Sequence, residues 1–159
     1  MLIKDKKNFD LQEKRDYEVA KNILESLFKD KMVQCIKAEE FSPQDCFFSA
    51  KTATNQIIPY DLEIKAIYNT KFIDNKGFVL KFTKYIGLMQ AEDNRRVYIL
   101  YFIPSSREYY IFNVRQIDLN RVEKVNLKMK VKQYIDDSPT CEFAILYLKK
   151  EYAVCSGKY

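Results

Sequence analysis

The chain has 159 residues, 47% of them hydrophobic and 31% charged, with 27 Lys/Arg against 22 Asp/Glu for a net charge of +5. That is enough chain for one domain and one core, with the composition of a folded protein, and no run approaches the roughly 20 apolar residues of a membrane span. There is no histidine, which excludes the commonest general base and every Ser-His or Cys-His nucleophile pair; hydrolytic chemistry would fall to carboxylates, lysines and bound metal.

The opening stretch, MLIKDKKNFDLQEK, has no apolar signal segment, so a cytoplasmic protein is expected. Cys35, Cys46, Cys141 and Cys155 lack CxxC spacing and read as free thiols; a zinc site would need scattered thiolates. From about residue 10 to 29 the chain reads as an amphipathic helix, with Ala20, Ile23, Leu24, Leu27 and Phe28 on one stripe. Residues 32–37 suit a short strand, and Ser42-Pro-Gln-Asp45 is turn material. CFFSAKT (46–52) and IIPYDLEIKAIY (57–68), separated by ATNQ, predict a hairpin folded near Ala53-Thr54.

After Gly77, the run 78–90 presents Val79, Phe82, Ile86 and Met89 at helical spacing, with Gly87 weakening the pattern. RVYILYFI (96–103) and EYYIFNV (108–114) are strands joined through a Pro-Ser-Ser turn. Val125, Leu127, Met129 and Val131 alternate with Asn126, Lys128, Lys130 and Lys132, a half-buried strand that pairs with CEFAILYL (141–148). The order predicts a single mixed α/β domain over residues 1–159.

Within 57–68, Asp61, Glu63 and Lys65 fall on one face and Tyr60, Leu62, Ile64 and Ala66 on the other. A face turned to water would explain this, but the hairpin also brings Asp45 across from Glu63. Carboxylates meeting across a ladder repel, and a divalent cation relieves the repulsion; oxygen ligands suit magnesium. Lys65 then stands beside the metal. The lysines at 128, 130 and 132 stand about 7 Å apart along one face, near the phosphate spacing of a nucleic-acid strand; an edge guarded against aggregation is the alternative.

Asp45, a short hairpin and Glu63-Ile64-Lys65 resemble the acid and Glu-x-Lys signature of the PD-(D/E)XK nuclease superfamily, also called restriction-endonuclease-like. The order of elements over about residues 10–114 is similar to that core, and closest to small Holliday-junction-resolvase-like and phage-type nucleases. The resemblance implies a mixed central sheet flanked by helices, with residues 115–159 adding a C-terminal strand pair. It implies hydrolysis of phosphodiester bonds, in DNA, with magnesium or manganese held by Asp45, Glu63 and the Ile64 carbonyl, and Lys65 orienting water or stabilising the transition state. It also implies an acid from the first helix: Asp16 and Glu13 project toward the core side, and Asp16 is the expected catalytic acid, with Glu18 serving if the register differs. A homodimer is expected by analogy, and Asp61 as a supporting group. The chain departs from the family pattern at Ser49, where the usual first acid would stand. Two other readings stay open: a non-catalytic nucleic-acid-binding or assembly protein on this fold, and an unrelated α/β interaction module.

Overall fold

The computed structural model describes residues 3–39, 42, 44–131 and 137–159, with side chains from residue 7 onward. A 26-residue helix, α1 (Ile3–Phe28), leads into β1 (Met32–Lys37), β2 (Cys46–Lys51) and β3 (Ile57–Ala66), which form an antiparallel meander. β4 (Phe78–Lys81) and the short α2 (Phe82–Leu88) then carry the chain across to β5 (Arg96–Ile103), parallel to β3. β6 (Glu108–Asn113), β7 (Glu123–Lys130), β8 (Thr140–Leu148) and β9 (Cys155–Lys158) complete the fold. The strands make a six-stranded mixed sheet, β1-β2-β3-β5-β6-β9, and a three-stranded antiparallel sheet, β4-β8-β7. Among the described residues, no helix is long and apolar enough to cross a membrane.

β5 is the spine of the molecule. Its Val97, Ile99, Tyr101 and Ile103 join one core with Phe78, Leu80, Leu88, Leu146 and Leu148, while Leu100 and Phe102 join another beneath α1. A strand covered on both faces reads as continuous apolar sequence, as RVYILYFI does. Phe78 stacks on Tyr101 at 4.7 Å between ring centroids, and the Tyr101 hydroxyl donates to the Val79 carbonyl at 2.9 Å, so the buried phenol is satisfied. On the other face Ala20, Ile23 and Leu24 of α1 are at most 2% exposed, but Leu27 is 37% exposed and leaves the expected stripe.

Three expectations need correction. The helix predicted over 78–90 is a strand followed by a seven-residue helix. Phe78 and Leu80 alternate inward, each 1% exposed, and bond to β8; the spacing of Val79, Phe82, Ile86 and Met89 was coincidental. Gly77 sets the turn with φ of +101°, and a Cβ there would meet the Leu148 carbonyl oxygen at 2.3 Å. α1 begins at Ile3, well before residue 10, on a lysine-rich turn that favours helix without adding to the apolar stripe. The C-terminal strand pair gains β4 as a third member, and β9, with the sequence CSGK, closes the main sheet although it carries no apolar pattern. Lys132, expected as the last of the lysine stripe, and residues 133–136 lie outside the described residues. The four cysteines are free thiols, with Cys35 3.5 Å from the Tyr17 hydroxyl.

Candidate functional site

The hairpin register decides which acids meet. Cys46 pairs with Leu62 and Phe47 with Asp61, and one step further the Asp45 N–H donates to the Leu62 carbonyl at 2.9 Å. Asp45 therefore lies across from Glu63, and its Oδ2 accepts the Ile64 N–H at 2.6 Å. Ser49 pairs with Pro59, deeper in the hairpin and away from Glu63. The position where the family pattern expects its first acid is thus not the position that faces Glu63 here.

Asp61 and Glu63 do not face water: they are 1% and 2% exposed. Through the parallel pairing of β3 with β5 they stand beside Val97 and Ile99, on the side of the sheet that α2 covers. Buried carboxylates require compensation. Asp61 receives the Arg95 Nε at 2.5 Å and the Gln44 amide at 2.9 Å. Glu63 has Lys65 at 3.4 Å and Lys84 at 3.2 Å from Oε1, with Lys84 also donating to Oε2 at 3.3 Å. Burial, and next the negative charge of Asp45, push the Glu63 carboxyl up to about 7 despite the two ammoniums.

Beside this arrangement, between the N-terminal half of α1 and the ends of β1 and β3, is a cavity of about 810 Å³ that Gln44, Asp45 and Lys65 line, whereas Asp61 and Glu63 do not. Asp10, Glu13, Asp16, Glu39 and Asp45 contribute carboxylates to its wall, against the ammoniums of Lys37 and Lys65. A phosphate would enter such a space only with additional cations. Partial burial at the wall and the charge of Asp45 raise the Glu13 carboxyl above its ordinary range. Asp16 is held differently, accepting from Tyr68 at 3.0 Å and Gln12 at 2.8 Å. Of the helix acids, Glu13 and Asp16 line the cavity, Glu13 is coupled to Asp45, and Glu18 is exposed outside it.

The expected lysine stripe stands apart from these acids. Lys128 is directly opposite Glu142 and Lys130 opposite Thr140 across the β7–β8 ladder. The sequence reading missed Lys84, Arg95, Gln44 and Tyr68. The one available signal was indirect: acids inside an apolar strand demand cationic partners from somewhere in the chain.

The donor set is hard oxygen. Asp45 and Glu63 oppose one another, and among the described residues no group of three or more His, Cys, Asp or Glu is placed to hold a metal ion. Magnesium suits that pair, since it is commonly held by one or two carboxylates, with water and substrate phosphates completing its shell. No protein-family model matches the chain, and no curated protein and no solved structure matches it either.

Proposed function

We propose that this protein is a metal-dependent nuclease of the PD-(D/E)XK, restriction-endonuclease-like type, hydrolysing phosphodiester bonds in DNA. The observation that carries the reading is the meeting of Asp45 with Glu63 across the hairpin, with Lys65 3.4 Å from the Glu63 carboxylate, at the edge of the acidic cavity. The general order of elements is compatible with it: a leading helix, a hairpin bearing the acids, a crossover and the strand pair β5–β6 are what the resemblance implies, although the crossover's helix is only Phe82–Leu88.

On this reading Asp45 and Glu63 hold magnesium or manganese, with the Ile64 carbonyl completing the protein's share. When bound, such an ion lowers the pKa of a coordinated water and neutralises charge on the phosphate oxygens. The remaining work belongs to the chain. The Ile64 N–H fixes one Asp45 oxygen, which orients that carboxylate. Lys65, 41% exposed at its side chain, is free to swing from Glu63 toward a phosphate oxygen, where its ammonium offsets the charge that grows as water adds to phosphorus and the bond to the leaving oxygen breaks. Lys84 remains to compensate Glu63 when Lys65 moves. Asp61, locked by Arg95 and Gln44, keeps β3 rigid under the site.

One observation favours a second reading. Two ammoniums already neutralise Glu63, and Lys84 touches both of its oxygens; a degenerate site that binds nucleic acid without cutting it would have this arrangement. Incubation with supercoiled and branched DNA in magnesium or manganese separates the two. Cleavage that Lys65→Ala abolishes while DNA binding persists supports the nuclease. Binding without cleavage in either metal supports the second reading, and absence of both removes nucleic acid from the account.

A further inference from the structure

The three-stranded sheet has two unlike faces. Phe78, Leu80, Leu146 and Leu148 point into the core with α2. By register, the opposite face carries Val125, Leu127, Met129, Phe143 and Tyr147, each partly exposed, around Ile145, which is 0% exposed, with Glu123 opposite Tyr147 at one end; none of these apolar residues is in either buried core. Two ammoniums are set into that face. Lys81 Nζ lies 4.1 Å from the centroid of the Phe143 ring, and Lys76 Nζ lies 6.0 Å from that of Tyr147 while pairing with Glu123 at 3.2 Å. Val131, 48% exposed, extends the same alternation.

We propose that this outer face of β4-β8-β7 is a platform for unpaired nucleic acid, its bases lying on Phe143 and Tyr147 and its phosphates beside Lys81 and Lys76. The occupant follows from the mixture of groups. A duplex could use the two lysines through its phosphates, but the apolar field and the two rings have nothing to offer its groove edges. A single strand exposes π-faces that stack on aromatic side chains and phosphates that seek ammoniums. Each ring has an ammonium over it, so a base that stacks there takes the ammonium's place on the ring face and frees that charge for its own phosphate.

The face is also continuous with the candidate site. Lys81 closes β4 immediately before α2, which carries Lys84 onto Glu63. Burial, and next the charge of Lys65 and that of Lys84, depress the affinity of Lys81 for a proton. A strand on the platform that continued toward Glu63 would do so with a cation there to offset the acids around it. This step rests on the nuclease reading; the platform itself does not. The lysines of β7 belong to the other face, where Lys124 stands over Phe82 at 4.2 Å and Lys128 opposes Glu142.

The test is fluorescence anisotropy with the full chain, using labelled single-stranded DNA and its duplex, in EDTA so that no cleavage intervenes. Phe143→Leu and Tyr147→Leu keep apolar bulk and remove the ring, and Lys81→Gln removes charge at the rim. The single strand is expected to bind at least about tenfold more tightly than the duplex, and each ring variant to weaken it about five- to tenfold without changing duplex binding. Lys81→Gln is expected to reduce the slope of log Kd against log salt by about 0.7. Equal affinity for both DNAs, or ring variants that bind the single strand like the parent protein, would overturn the platform, as would failure to bind either DNA. Cleavage by the parent protein in magnesium is scored separately. A platform that passes beside a protein that never cuts would sink only the nuclease, and cutting beside unaffected ring variants would sink only the platform.

Discussion

Glu63→Gln tests how the site's electrostatics are balanced. Burial and the facing Asp45 raise the Glu63 carboxyl from 4.5 to about 7. At about 1.36 kcal/mol per unit, ionised Glu63 costs the fold roughly 3 kcal/mol once the pH is well above 7. The sign follows from the direction of the shift. An acid whose folded pKa is raised contributes stability at pH below 4.5, and that contribution is lost as the pH climbs through about 7. Glutamine keeps the shape and never ionises. Melting curves of parent and Glu63→Gln should therefore coincide near pH 4 and diverge above pH 7, the variant melting higher by about 6–12 °C at pH 8–9. Magnesium should then raise the parent's Tm at high pH and leave the variant nearly unmoved. If the variant melts lower than the parent at pH 8, the ion pairs to Lys65 and Lys84 outweigh burial and repulsion, and the reasoning fails.

Arg95→Ala strips buried Asp61 of its guanidinium and leaves Gln44 beside it; a loss of about 3–5 kcal/mol in urea unfolding is expected, and a change under 1 kcal/mol would show that Asp61 is not dependent on Arg95. Gly77→Ala places a Cβ against the Leu148 carbonyl at a positive φ and should cost at least about 2 kcal/mol in the same measurement; a neutral outcome would mean that the β4 turn relaxes freely. Glu13→Gln should weaken manganese binding by calorimetry more than Asp16→Asn does, because Glu13 is coupled to Asp45 whereas Asp16 is committed to Tyr68 and Gln12; the reverse order would make Asp16 the helix acid.

The sequence carried the hairpin and its register. Period-two alternation and the ATNQ break set β2 against β3, and a fold near Ala53-Thr54 places Asp45 across from Glu63. Apolar runs located β5 and β6, and the β7–β8 pairing followed from the alternating lysines. What local pattern could not show was burial. Asp61 and Glu63 resemble a solvated strand face in sequence, and they lie beneath α2 only because the crossover returns over that side of the sheet. Their cationic partners are equally invisible, since Lys84 and Arg95 belong to no periodic pattern and reach the acids through tertiary folding. β4 and α2 were merged because four apolar residues happened to fall at helical spacing across a strand-to-helix junction. β9 went unread because Cys-Ser-Gly-Lys has no amphipathic signal and is held only by bonding to β6.

A crystal soaked in manganese and measured at the manganese absorption edge tests the pairing of acids most directly. One anomalous peak is expected, bonded to an oxygen of Asp45 and an oxygen of Glu63, with Lys65 or Lys84 displaced from that carboxylate. Density lacking any such peak, with Glu63 still bridged by both lysines, would contradict it.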